Sequence, residues 1–505
     1  MNNYEEDYDV PEEYYGTLNE AQLPRIVREF QKSAGEVSHQ NEIPAAVSFF
    51  TILGQLTKDF VQIPNGRNIE DSRIHFCWIQ TSGTGKSTLW NFVGPVSKMT
   101  FDMINAKGTH PPLETNSQTE GVDAVMNRTF NTFGVTDYTD SVLIGGWTEK
   151  KEMEEDENGV ERWTGQMTPH RKAGLLEGSG LAHWDEFEYS GIFKQSQHQE
   201  KAIVYLNTLM NTLAGESWVI TKALASYDNK VMECFCERSV LAMTYPPSNL
   251  NEVIAQKGVL QRMLPYVREV PQKEQHEMRL EQLSKAGTIE EVNQPIEKYA
   301  KGLYHIYNMV QTRFMEVGAD PLKTVTYDAN FAQTLMLAYM EMNKQITMAE
   351  PHVADIASNF TTRLMKTLMK MSVLCCIADS PDINKDNRFV VAPHHVRQAT
   401  YIVRNCYESL VEWLNHSLSG KRKSLTKQSI ESHFFATYKK MEKDADNYVP
   451  KKEFFEEVGK SAKKVQSYIY RRYKYIEHRF EEGKVDYKGS KVKAIRLKKG
   501  DSFEV

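Results

Sequence analysis

Leu23, Ile26, Val27 and Phe30 recur at helical spacing, and Ala45 to Leu56 continues as a longer apolar helix closed off by the Pro64-Asn65-Gly66 turn. The period then changes. Ile74 to Ile79 is a short, continuously apolar run that reads as a buried strand leading into a glycine-rich turn and a further helix. Ser141 to Ile144, Leu181 to Trp184 and Ser239 to Met243 read as further short strands. Strands separated by helices predict an α/β core.

Polar stretches divide this pattern. Residues 1–20 are acidic, rich in tyrosine and aperiodic, and read as a flexible tail. Glu149 to Arg162 is densely charged around Asn158-Gly159, which reads either as an inserted β-hairpin or as a solvated loop. From Gln272 to Gln294 the chain is polar and reads as a linker. Beyond it, residues 296–420 are mostly helical: Val353, Ile356, Ala357, Phe360, Leu364, Leu368 and Met371 line one helix face, with Arg363, Lys366 and Lys370 turned away. The predicted division is a tail (1–20), a helical layer (21–70), an α/β core (71–271), a linker (272–295), a helical region (296–420) and a final domain (421–505). There is no internal repeat.

Composition adds a partner class. The 505 residues carry a net charge of −6, yet residues 421–505 hold 23 Lys and Arg against 13 Asp and Glu. That excess predicts a polyanion at the C-terminal domain. The six cysteines (Cys77, Cys234, Cys236, Cys375, Cys376, Cys406) form no Cys-x-x-Cys pair and sit in apolar runs, so they read as buried thiols of a reducing compartment, not as metal ligands. With an acidic N-terminus unlike a signal peptide and no apolar window long enough to span a bilayer, the expected location is cytoplasmic.

The candidate chemistry starts at Gln80-Thr81-Ser82-Gly83-Thr84-Gly85-Lys86-Ser87-Thr88, which follows a strand and opens a helix. Small residues there let backbone N–H groups converge on phosphate oxygens, and the helix N-terminus adds partial positive charge. Ser82 to Thr88 would bind ATP. Lys86 would reach the β and γ phosphates, and Ser87 would offer a hydroxyl ligand to Mg²⁺. Gln80 stands where the pattern has its first glycine.

Hydrolysis also needs carboxylates at the end of a neighbouring strand. Leu181-Ala182-His183-Trp184-Asp185-Glu186 offers them: Asp185 for the metal shell and Glu186 to polarise water, with His183 as a packed strand residue. The same two acids also read as a helix-capping pair. Positive charge for the transition state would come from Arg262, in Gly258 to Leu264, often supplied by a neighbouring subunit, with Arg238 and Arg268 as rivals. An arginine there also suits a helix C-terminus.

These motifs, in this order, resemble the P-loop helicase-type ATPases of phages, plasmids and mobile elements, and more broadly AAA+ and superfamily 3 helicases. The resemblance covers roughly residues 40–415 and implies an AAA+-like P-loop core with N-terminal helices and a helical lid. It implies that Thr244 is the polar sensor at the end of its strand, with Ser248 and Asn249 downstream. It also implies that Arg363, on the lid, touches the γ-phosphate, where the residue otherwise reads as a solvent-facing charge. The segment Trp218 to Phe235 resembles a DNA-gripping hairpin with Asp228-Asn229 at its turn, and Lys222 and Lys230 would contact phosphate or simply be solvated.

Residues 421–505 show the order helix, helix, helix, hairpin: Ser429 to Met441, Lys451 to Val458, Ala462 to Tyr470, then strands near Tyr475 to Phe480 and Val492 to Leu497. That order predicts a winged helix. Lys463, Lys464, Arg471 and Arg472 would face a duplex backbone and Lys488, Lys491 and Lys493 would lie on the wing, giving salt-dependent binding with little sequence information. A winged helix used for protein contacts is the other reading. The expectation for the whole chain is an ATP-driven DNA helicase or translocase for a viral or mobile genome, working as a hexameric ring with single-stranded DNA, and possible partners such as a primase. The alternative is an initiator, loader or transposition-regulator ATPase that switches assemblies without processive unwinding.

Overall fold

The computed structural model describes residues 22–37, 41–108, 129–135, 140–155, 161–187, 200–216, 218–221, 231–246, 258–284, 293–347, 351–379 and 389–424. Nearer the C-terminus it describes 434, 437–441, 443–444, 446–462, 473, 477, 480–487 and 489–498. The acidic segment 1–20 lies outside these residues. The chain divides into two compact units, Met1–Trp413 and Leu414–Val505.

In the first unit, α1 (Arg25–Val37) leads to α2 (Glu42–Thr57), which is buried on every side from Pro44 to Thr57 because its sequence is apolar all round. The Pro64-Asn65-Gly66 turn does more than follow a helix. It joins a hairpin, β1 (Gln62–Asn65) and β2 (Asn68–Asp71), pairing Gln62 with Asp71.

The centre is a five-stranded, wholly parallel sheet of β3 (Phe76–Gln80), β4 (Phe130–Val135), β7 (Gly178–Trp184), β10 (Cys236–Thr244) and β11 (Leu264–Arg268), in the order β11-β3-β10-β7-β4. Every residue of β3 and β10 is buried, as parallel strands covered on both faces must be. Helix α3 (Lys86–Lys107) follows β3 directly and packs on α7 (Asn293–Glu316), where Tyr299 meets Phe92 and Phe30 at ring separations of 6.1 and 5.2 Å.

Two expectations need correction here. Ser141 to Ile144 is not a strand but the short helix α4 (Asp140–Ile144), whose Val142 and Leu143 carbonyls accept from Leu175 and Leu176. Short apolar runs do not distinguish helix from strand by period. The strand beside β7 is instead β4, an edge strand in which Phe130 and Phe133 are separated by two polar residues, so that neither a continuous apolar run nor a period of two marks it. The supposed linker forms helix α6 (Gln272–Ser284), held at its start by the Gln275 amide on the Pro271 carbonyl (3.0 Å) and by Arg268–Glu274 (2.5 Å). The charged insertion is a hairpin, β5 (Gly145–Glu155) with β6 (Glu161–Ala173), longer than its sequence signal; Asn158-Gly159 lies outside the described residues.

After α5 (Glu200–Leu209) comes a second hairpin, β8 (Trp218–Thr221) with β9 (Val231–Cys234). The helical region contains α7, α8 (Phe331–Thr347), α9 (Pro351–Asp379) and α10 (Pro393–Ser424), with the short parallel pair β12 (Val325–Tyr327) and β13 (Phe389–Val391). Helix α9 buries Val353, Ala357, Phe360, Leu364, Leu368 and Met371 as its spacing predicts. Cys77, Cys236, Cys375, Cys376 and Cys406 are buried free thiols, and no helix among the described residues is long and apolar enough to cross a membrane.

The second unit has a core of Phe434, Tyr438, Val449, Phe454, Phe455, Val458, Tyr473, Phe480 and Ile495. Around it lie α11 (Lys451–Ala462) and an antiparallel sheet of β14 (Val449–Pro450), β16 (Ser490–Leu497) and β15 (Phe480–Tyr487), in that order. The first hairpin strand therefore begins at Phe480 and does not end there. Its charged run Glu481-Glu482-Gly483-Lys484 is that of an exposed edge, which masks strand character. The segment expected as the third helix lies, past Ala462, outside the described residues.

Candidate functional site

The loop between β3 and α3 is built around two left-handed glycines, Gly83 (φ 70°) and Gly85 (φ 88°), the second capping α3. Such alternation turns successive N–H groups toward one concavity, at no Cβ penalty. Ser82, Gly83 and Ser87 face solvent, while Thr84 is buried: its hydroxyl donates to the Thr81 carbonyl (2.6 Å). The Lys86 ammonium folds back onto the carbonyls of Gln80 (2.6 Å) and Thr81 (3.1 Å) and sits 4.3 Å from the centre of the Tyr245 ring. Thr88 lies in the first turn of α3 and is half-buried.

Gln80, the departure from the glycine pattern, ties the loop to its surroundings. Its side-chain amide donates to Asn41 Oδ1 (3.0 Å), Thr84 Oγ1 (2.8 Å) and the Thr84 carbonyl (3.1 Å), and its Oε1 accepts from Trp78 Nε1 (2.8 Å). Asn41 also donates to the Thr84 carbonyl (3.1 Å). Preceding Glu42, Asn41 has the sequence position of a helix cap, yet its side chain makes no capping bond to α2. Neither Asn41 nor Tyr245 had a sequence signal that separated it from a cap or a loop aromatic.

The carboxylates stand on the same edge of the sheet as this loop. Ile79 is level with Thr244, and Ala242 with Trp184, so β3, β10 and β7 end side by side. With neighbouring strands about 4.8 Å apart, β7 lies about 10 Å from β3. The His183 ring stacks on Trp90 of α3 at 3.6 Å and 2°. Ser87 and Trp90 share a face of α3, and the stack joins that helix to β7, whose end Asp185 follows directly. Oxygen donors from Ser87 and Asp185 are the kind Mg²⁺ takes, with water completing the shell. Glu186 is exposed and has φ 56°, a left-handed conformation uncommon outside glycine, where the chain turns sharply off the strand. The helix expected after this pair falls on residues outside those described.

Burial lowers the His183 pKa to about 4, so the ring is neutral near pH 7 and serves as packing, as its strand position predicts. The unfolded chain takes up a proton as pH falls through 6.5 while the folded chain refuses it until about 4. Stability from this group is therefore complete above pH 6.5 and lost on acidification, by up to about 3 kcal/mol. His183→Phe should keep the stack and flatten that share of the slope, measured by denaturant unfolding between pH 4 and 7. An unchanged slope would mean the proton is taken up elsewhere.

Thr244 ends β10, buried between the loop strand and the acid strand. Ser248 and Asn249 lie outside the described residues. Of the arginines, Arg238 is buried and locked by the carbonyls of Glu177, Ser179 and Asn131 at 2.8 to 3.2 Å, with burial lowering its pKa to about 10. Arg268 sits beside Gln80 and pairs with Glu274. Arg262 differs from both: it closes a single 3₁₀ turn (Leu260–Arg262) just before β11, donating to Asn211 Oδ1 (3.1 Å) and the Gly258 carbonyl (2.7 Å). It therefore lies at the N-terminal edge of the sheet, opposite the loop.

Arg363 is corrected in place. It does not reach the loop of its own chain. Helix α9 packs on the 3₁₀ turn and brings Arg363 into one cleft with Arg262, at the edge where β3 begins. The five residues of β3, at about 3.3 Å each, put roughly 16 Å between that edge and Lys86. The polar face of α9 thus lines a cleft instead of facing open solvent.

The expected DNA contacts are less visible. The β8–β9 hairpin is present, but Lys222 and Lys230 lie in its undescribed connection, as do Lys463, Lys464, Arg471 and Arg472 in the second unit. Lys491 and Lys493 are exposed on β16, opposite Asp486 and Lys484. No protein-family model and no curated protein matches this chain; what the structure establishes is a mixed α/β protein with a central five-stranded parallel sheet, N-terminal helices and a C-terminal antiparallel sheet.

Proposed function

We propose that this chain is an ATP-driven DNA motor, a helicase or translocase of the AAA+ and superfamily 3 kind serving a viral or mobile genome. One observation carries the reading: the Lys86 loop and the Asp185-Glu186 pair share one edge of a parallel sheet, with Thr244 between them, while Arg262 lies at the opposite edge. A protomer so built holds a nucleotide at one edge and offers an arginine at the other. Successive copies in a ring, a hexamer by resemblance, would complete each other's sites.

In this reading the loop amides and Lys86 bind the triphosphate, and Ser87 with Asp185 hold Mg²⁺. The ion, when bound, offsets charge building on the phosphate oxygens. Glu186 orients and deprotonates the attacking water, with Thr244 beside it. The α7 to α10 region acts as the lid. In the second unit, the arrangement of α11 with β14, β16 and β15 supports a winged helix whose Lys491 and Lys493 contact the DNA backbone.

The deciding assay is ATP turnover with and without single-stranded DNA, followed by strand separation on forks bearing a 3′ or a 5′ tail. DNA-stimulated turnover and ATP-dependent separation of one fork are expected. Turnover with neither fork opened would replace the motor by an ATPase that switches assemblies.

A further inference from the structure

Asp379 is the last residue of α9, and His394 and His395 stand in the first turn of α10. Their side chains converge. Nε2 of His394 lies 3.9 Å and Nε2 of His395 3.8 Å from Asp379 Oδ2, and one donor atom from each of the three residues lies within 4.8 Å of the other two. Neither imidazole is close enough to the carboxylate for a hydrogen bond, so hydrogen bonding does not explain why the three meet. Gln398, buried one turn further along α10, donates to the same Asp379 Oδ2 (3.0 Å) and to the Gln22 carbonyl (2.8 Å), which fixes the carboxylate beside the rings. An acid at the C-terminus of a helix meets that helix's partial negative charge, and the N-terminus of α10 offsets only part of it. Among the described residues the ion-pairing partners of Asp379 are these two histidines and no lysine or arginine.

Two imidazole nitrogens and a carboxylate oxygen are a donor set for zinc and its neighbours, whereas magnesium takes oxygen. Bonds of about 2.0 Å at tetrahedral angles put ligand atoms roughly 3.3 Å apart. The two imidazole–carboxylate separations exceed that by about half an ångström. Asp379 and His394 are exposed, so rotation of their side chains closes the trio around an ion while the buried His395 stays in place. We propose that Asp379, His394 and His395 bind a divalent transition metal ion of the zinc class, with water in the fourth position. The ion ties the end of α9 to the start of α10. His395 carries the cost: its Nδ1 accepts from the Ala392 amide (2.9 Å), which leaves the ring proton on Nε2. An ion at Nε2 displaces that proton to Nδ1, and the bond from Ala392 is exchanged for one to the metal. Gln398 Oε1, on the amide that holds the carboxylate, is buried with no hydrogen-bond partner and would accept from the metal-bound water.

Neither nucleotide nor turnover enters the test, so its outcome is separate from the ATPase reading. The full chain, stripped of metal with a chelator, is titrated with Zn²⁺ by calorimetry in excess Mg²⁺, which fills sites built of oxygen alone. Wild type is expected to bind about one equivalent at this site, and Asp379→Asn and His394→Gln should each weaken that binding at least about tenfold, the smallest loss usual even for a residue that only supports a ligand. His395→Gln is the sharper variant. Glutamine at the third position of a helix still reaches back to the capping residue's amide, so the start of α10 is kept and only the imidazole goes; binding should again weaken at least about tenfold. Zn²⁺ should also raise the unfolding temperature of wild type and not of the three variants. Co²⁺ supplies a spectroscopic check, since a four-coordinate site gives an intense visible absorption that the variants should lack. His394 is exposed, so loss of binding in His394→Gln cannot be put down to unfolding. A wild type that binds no Zn²⁺, or equal Zn²⁺ affinity in wild type and all three variants, would overturn the proposal.

Discussion

Glu186→Gln is expected to bind ATP as tightly as wild type and to hydrolyse it about 10²- to 10⁴-fold more slowly, the range for removing a general base. Gln keeps the size and hydrogen-bonding reach of Glu and meets the same backbone cost at φ 56°, so the change isolates the charge. Lys86→Ala should fail earlier. With the ammonium gone, the loop loses the cation that now bridges the Gln80 and Thr81 carbonyls, and ATP affinity should fall by at least about 100-fold, as expected when a charge-assisted phosphate contact and its pre-organised loop are lost together. Fluorescent-nucleotide titration and single-turnover hydrolysis separate the two defects. Wild-type turnover by Glu186→Gln would remove Glu186 from the chemistry.

Gln80 offers the second large effect, with an outcome opposite to the one the glycine pattern invites. Gln80→Gly completes that pattern, yet it should damage the site as much as Gln80→Leu. Either change strands the buried Trp78 N–H, which loses its acceptor, and removes one hydrogen bond each from Asn41 Oδ1 and Thr84 Oγ1. At about 1 to 3 kcal/mol for a group left unsatisfied, the loss is about 1 to 3 kcal/mol. The loop would loosen where Asn41 and Gln80 hold Thr84, and ATP affinity should fall at least about tenfold, since the phosphate cradle must then be ordered on binding. Unfolding curves and nucleotide titration measure both. A Gln80→Gly protein as stable and as tight-binding as wild type would reduce Gln80 to a bystander.

The parts of the fold that read clearly are those where burial is complete on both faces. β3 from Phe76 to Ile79 and β10 from Val240 to Met243 are apolar runs, and Leu181-Ala182 marks β7, because parallel strands under helices have no wet side. The misread parts are edges and exteriors: β4 sets two polar residues between its phenylalanines, β15 is charged, and α6 has only Met278, Leu280 and Leu283 among polar residues, so none carries a pattern strong enough to declare itself. Tertiary neighbours decide those segments.

The candidate site divides along the same line. By itself, the sequence marked the contiguous candidates, the loop from Ser82 to Thr88 and the pair Asp185-Glu186, because a glycine-rich turn after a strand and acids at a strand's end are local arrangements of backbone and neighbouring residues. Only the tertiary structure decided what was distant: that Gln80, Asn41 and Trp78 bolt the loop, that Trp90 and His183 join its helix to the acid strand, and that Arg363 stands with Arg262 and away from Lys86. Those relations depend on which helix packs on which end of the sheet, and no periodicity along one chain segment encodes the position of another.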